Sequence, residues 1–128
     1  MLLVASAAVF GQGCSGPQKL SANSSMPSAE GTLECDSAAN DNTGIDLKVK
    51  HLPHPDRLTP PAAVYVVWMK NGSVAPQNIG ALTVDKDLSG RLKTVTAHRR
   101  SDLFVTGEAS GEVTAPSGPP LLWANCSR

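Results

Sequence analysis

Few residues in this 128-residue chain have the type and spacing to do chemistry. The segment DKDLSG (85–90) opens like a calcium loop: Asp85, Asp87 and Ser89 alternate, Gly90 permits a sharp turn, and Leu92 stands where such loops carry a hydrophobic residue. The glutamate that closes such a loop is missing, with Thr96 at its offset. Two carboxylates alone hold calcium weakly, and Asp and Gly are equally the residues of an ordinary turn between strands. The segment is therefore a weak candidate calcium site against a plain turn. His51 and His54 bring two imidazoles together in HLPH, but no cluster of Cys, His or Asp completes a tetrahedral zinc set around them. His98 opens a basic turn, HRRSD (98–102), suited to anionic head groups or to a partner's acids. No glycine-framed serine elbow, phosphate-cradling loop or paired-histidine zinc motif occurs. The expectation is a non-catalytic chain without a cofactor.

The three cysteines, Cys14, Cys35 and Cys126, are an odd number, and an odd number needs an explanation. If Cys14 is modified, Cys35 and Cys126 remain as a pair, and a disulfide between them is expected in an exported protein. It would close a loop of about 90 residues and contribute about 4–5 kcal/mol in the chain-entropy account.

The residues before Cys14 support export. MLLVASAAVF (1–10) carries no charge and is too short to cross a bilayer, which takes about 20 apolar residues. It fits the apolar middle of a secretory signal, although no Lys or Arg precedes it, so residues 1–13 read as a signal peptide with its basic start missing. Gly13 before Cys14 and Ser15 after it resemble a bacterial lipobox, with Gly11 where a leucine is usual. That resemblance implies a diacylglycerol on the Cys14 thiol and a mature chain anchored by lipid, the alternative being simple secretion. Residues 15–29, SGPQKLSANSSMPSA, are rich in serine and nearly uncharged, and read as a flexible tether reaching about 20 Å.

The elements that must position any site begin at Glu30. In IDLKVKHL, Ile45, Leu47 and Val49 fall on one face and Asp46, Lys48 and Lys50 on the other, the alternation of a strand with one buried and one wet side. AAVYVVWMK (62–70) is apolar on both faces and reads as a central strand, followed by the hairpin dipeptide Asn71-Gly72. Four prolines make HLPHPDRLTPP (51–61) a loop. Strands are predicted at 31–36, 44–52, 62–70, 78–84, 90–97, 102–108 and 120–126, with Gly or Pro at nearly every junction and no convincing helical period. Short, evenly spaced strands of this kind predict an all-β, antiparallel, immunoglobulin-like sandwich of about seven strands over residues 30–128, with Cys35 in its first strand and Cys126 in its last. Trp123, beside Leu121 and Leu122, is expected in the core.

The second half carries a further pattern: VYVVW, then NIGAL, then LFVTGEASGEVTAPSGPPLLW. Over residues 62–126 it resembles the extracytoplasmic C-terminal domain of anti-sigma-K-type factors, through Trp68, Gly80, Thr106 with Glu108, and the turn Pro116–Pro119. The resemblance implies a stand-alone relative of that outer domain, tethered by lipid, with sensing or partner binding as its role.

Equal numbers of basic and acidic side chains, 11 of each, argue against a general nucleic-acid binder, which needs a basic face to displace counterions. The functional expectation is a lipid-anchored domain of the bacterial cell envelope that binds or senses through its loops, above all the Pro-rich loop 53–61 and the basic tip 98–102, with the membrane and an envelope protein as partners. The alternatives are a structural or assembly module of the envelope and a weakly calcium-responsive domain.

Overall fold

The computed structural model describes residues 16–128. Nine strands form two antiparallel sheets. They are β1 (Gln18–Lys19), β2 (Ser21–Ala22), β3 (Glu30–Ala38), β4 (Asn42–Lys50), β5 (Val64–Lys70), β6 (Gln77–Leu82), β7 (Gly90–Thr96), β8 (Arg100–Glu108) and β9 (Leu122–Ser127). One sheet has the order β1-β3-β4-β7 and the other β2-β9-β8-β5-β6. The seven longer strands answer to the seven predicted ones, and the crossings from β4 to β5, from β6 to β7 and from β7 to β8 make the immunoglobulin-like arrangement. The described chain contains no helix long and apolar enough to cross a membrane.

Side-chain alternation builds the core. Ile45, Leu47 and Val49 of β4 face Tyr65, Val67 and Met69 of β5 and Leu103 and Val105 of β8 in one cluster between the sheets. The wet face of β4 carries Asp46, which Arg91 of β7 grips through Nε (3.0 Å) and Nη2 (2.8 Å). At the edge, Cys35 of β3 and Cys126 of β9 are joined by a disulfide with Cα atoms 5.9 Å apart, tying the two sheets together as expected with Cys14 set aside. A structural disulfide of this kind belongs to an oxidising, extracytoplasmic compartment.

Two expectations change. Residues 16–29 do not hang free as a tether. β1 pairs with β3, with Gln18 opposite Leu33, and two residues later β2 pairs with β9, with Ser21 opposite Trp123. The segment thus straps the same open side that the disulfide closes. Met26 is sunk into the core at 2% exposure, and Leu20 lies so close on Gly31 that a Cβ there would collide with Leu20 Cδ1. The strap docks because two exposed strand edges offer unpaired N–H and C=O groups, a force invisible in a serine-rich composition.

The second change is Trp123, which is 42% exposed. The inward positions of β9 are Leu122, Ala124 and Cys126, so strand alternation turns Trp123 to the outside.

Candidate functional site

β5 is apolar on both faces because both are covered. Tyr65, Val67 and Met69 enter the core between the sheets, while Val66 and Trp68, equally buried, lie on the outer face of their sheet. The β8–β9 loop, residues 109–121, covers that face. Asn78 of β6 pins it by donating from Nδ2 to the carbonyls of Gly111 and Val113, both at 2.9 Å. Asn78 Oδ1 also accepts from Gly80 N–H at 2.9 Å, where β6 is kinked by a register shift opposite Val67 and Trp68. Gly80 sits at φ 138, and a Cβ there would stand 2.9 Å from Leu92 Cδ1, so only glycine fits.

The residues that carry the resemblance noted above meet here in one hydrogen-bonded chain. Trp68 Nε1–H donates to Thr106 Oγ1 at 2.8 Å, and the Thr106 hydroxyl donates to Glu108 Oε2 at 2.5 Å. The Ser117 backbone N–H donates to Glu108 Oε2 at 3.0 Å, and its hydroxyl donates to Oε1 at 2.7 Å. Trp68 also stacks on Phe104 with ring centroids 6.4 Å apart. Glu108 is only 2% exposed. Burial pushes its pKa up, but the donors from Thr106 and Ser117 outweigh burial and hold the carboxyl below its ordinary value. A carboxylate so held is a poor base, and Ser117 is its donor rather than a nucleophile with a histidine beside it. The arrangement anchors the turn at Pro116–Pro119.

That anchored turn forms one wall of a cleft of about 540 Å³. The opposite wall is the Pro-rich loop, with Arg57, Leu58, Pro60 and Pro61, and the strap closes the back through Asn23 and Ser25. Each wall is tied down. Tyr65, buried on β5, donates its hydroxyl to Pro53 O at 2.6 Å, and burial pushes its pKa up to about 12. A short 3-10 turn, Pro55–Arg57, is closed by Leu58 N–H on Pro55 O at 3.1 Å, and Ala62 N–H returns to Pro55 O at 2.9 Å. The strap is fixed by Asn23 N–H donating to Leu121 O at 2.8 Å. Proline rings and leucine side chains line the opening together with Arg57 and the polar side chains of Asn23, Ser25, Thr59 and Ser117, a mixed surface suited to an extended segment.

The other predicted residues lie apart from this cleft. In the 85–90 loop, Asp85 Oδ1 accepts the backbone N–H groups of Asp87 (2.8 Å) and Ser89 (3.0 Å), while Asp85 N–H donates to Ser89 O at 2.9 Å. The carboxylate that would open a calcium loop is thus engaged in holding a tight turn whose Leu88 sits at φ 60. His51 lies 3.5 Å from Glu30, and among the described residues no group of three or more His, Cys, Asp or Glu is placed to share a metal ion. At the 98–102 tip, Arg99 donates to Asp41 at 3.0 Å from the neighbouring turn, and Asp102 accepts from Asn125 at 3.0 Å. Cys14 lies outside the described residues.

Reasoning from the sequence missed the exposed face around Trp123, where Phe104, Pro120, Asn125, Gln18 and Lys19 line a shallow groove of about 360 Å³. Its signal was available: if Cys126 faces inward to its disulfide partner, alternation sends Trp123 outward. Comparison of the chain with protein-family models, with curated proteins and with solved structures finds no match.

Proposed function

We propose that this protein is an exported, non-catalytic binding domain of the bacterial cell envelope, anchored by lipid at Cys14 and engaging its partner through the cleft beside the Pro-rich loop. The observation that carries the reading is the partition of the cysteines. The bridge between Cys35 and Cys126 leaves Cys14, in its lipobox-like setting, as the remaining cysteine. Binding through the cleft draws support from its build: two loops and the strap, each held by backbone or buried side-chain hydrogen bonds, frame a preformed opening. The similarity to the outer domain of anti-sigma-K-type factors supports a sensing role for that binding. The test is metabolic labelling with a palmitate analogue in wild type and in Cys14→Ser. Label present in the first and lost in the second supports the anchor; label absent from both removes it.

A second reading, assembly with copies of itself, has one observation behind it. β7 is an edge strand of the four-stranded sheet, and its Val95 is 57% exposed. A mass that stays monomeric as concentration rises excludes it.

A further inference from the structure

The chain has no net charge, yet the fold sorts its charges along the long axis of the sandwich. One end is built by the β3–β4, β5–β6 and β7–β8 turns and the residues after β9. It gathers Lys70, Arg99, Arg100 and Arg128 against the carboxylates Asp36, Asp41 and Asp102. The opposite end is built by the loops at 51–63, 83–89 and 109–121. It gathers Asp56, Asp85, Asp87, Glu112 and the buried Glu108 against Arg57 and Lys86. The strand bodies between the two ends carry Lys19, Lys48, Lys50, Arg91 and Lys93 against Glu30, Glu34 and Asp46.

The basic end is ordered from within. Arg128 donates to Thr43 Oγ1 at 2.6 Å and to Asp41 Oδ1 at 3.2 Å, with its side chain only 9% exposed. Asp41, held below its ordinary pKa by hydrogen bonds from Arg128 and then Arg99, stays charged and fixes the turn. Arg99 keeps 62% of its side chain exposed, and Arg100 beside it is exposed as well.

The path of the chain is an independent observation. β1 runs antiparallel to β3 with Gln18 opposite Leu33, so the residues preceding Gln18 approach from the side of Asp36 and Asn42, which is the basic end. Cys14 precedes Gln18 by four residues, and four residues span at most about 14 Å. With the strap docked, a lipid on Cys14 would be joined to the sandwich on that side by no more than this length of chain.

We propose that the basic end of the sandwich is the face laid against an anionic phospholipid surface, which turns the acidic end and its proline-lined cleft away from the membrane. The proposal rests on the lipid-anchor reading for its setting in the cell, while its geometry belongs to the fold alone. Each basic residue close to an anionic surface contributes about five-fold in association, and the contribution fades beyond a Debye length of about 8 Å at physiological salt.

The test couples the full chain through the Cys14 thiol to vesicles bearing a maleimide lipid, so that orientation is measured whether or not cells acylate Cys14. Lysine acetylation followed by mass spectrometry then compares Lys70 at the basic end with Lys86 at the acidic end. On phosphatidylcholine vesicles containing phosphatidylglycerol, Lys70 is expected to react several-fold more slowly than Lys86, each relative to uncoupled protein. The difference should collapse on vesicles of phosphatidylcholine alone, in high salt, and in the Arg99→Gln/Arg100→Gln protein. Equal slowing of Lys70 and Lys86 on the anionic vesicles, or stronger protection of Lys86, overturns the proposal. Failure of palmitate labelling in cells would overturn only the anchor reading.

Discussion

Glu108 offers the sharpest test of how the loop bearing the cleft is held. Its carboxylate accepts from Thr106 Oγ1 (2.5 Å), Ser117 N (3.0 Å) and Ser117 Oγ (2.7 Å), and it is 2% exposed. In Glu108→Ala, the Thr106 hydroxyl keeps its acceptor role toward Trp68 but loses its own acceptor in a buried setting, which costs about 1–3 kcal/mol. Ser117 is exposed and turns to water, so its loss is limited to the charge-assisted bonds, about 1.5–3 kcal/mol in all. The sum is about 2.5–6 kcal/mol, or a fall of roughly 10–35 °C in melting temperature for a domain of this size. Glu108→Gln keeps the shape, can donate from its amide to Ser117 Oγ, and should lose about 1–2 kcal/mol. A carboxyl held below its ordinary 4.5 contributes stability that is present above that pH and is lost as pH falls through the lower folded value. The acid limb of the stability profile should therefore flatten in Glu108→Gln. The assay is thermal unfolding followed by tryptophan fluorescence between neutral pH and pH 3, with hydrogen exchange read across 109–121. A Glu108→Ala melting temperature within about 2 °C of wild type, less than the shift expected from 1 kcal/mol, would refute the reasoning.

Removing the bridge with Cys35→Ser/Cys126→Ser opens a loop of 91 residues and should cost about 4–5 kcal/mol, measured by denaturant unfolding with the intact protein under reductant as a second arm. Met26→Ala should cost about 2–5 kcal/mol because the strap is part of the core; a denaturation midpoint equal to wild type would return 16–29 to a free tether. Trp68→Ala should cost about 3–5 kcal/mol, whereas Trp123→Ala, on the outer face, should cost less than about 1 kcal/mol, and reversal of that order would place Trp123 inside.

How much was legible depended on the physical source of each feature. Strands declare themselves through local alternation, so Ile45, Leu47 and Val49 were assigned to one face before any pairing was known, and the double-sided run at 62–70 announced a covered strand. The strap was not legible, because β1 and β2 are each two residues long and form by completing the edges of β3 and β9. No local pattern records an edge supplied from elsewhere. Trp123 was misread because hydrophobicity was weighed without register, and only the inward placement of Cys126 sets the phase of β9. The site divided in the same way. Trp68, Thr106, Glu108 and the Pro116–Pro119 turn were singled out as a pattern, but nothing in their spacing said that they touch.

The sequence by itself determined the strand content, the sandwich class and the separation of prolines and glycines into turns, because these follow from side-chain period and backbone preference; it pointed to the pairing of Cys35 with Cys126 only with Cys14 set aside. Tertiary structure alone decided that the Glu108 carboxylate should be buried and fully hydrogen-bonded, that the serine-rich segment should strap the open side, and that a chain of zero net charge should carry a basic end and an acidic end. Each of these depends on which turns share an end of the sandwich and which edges lie open, and strand order settles both through contacts between residues distant in the chain.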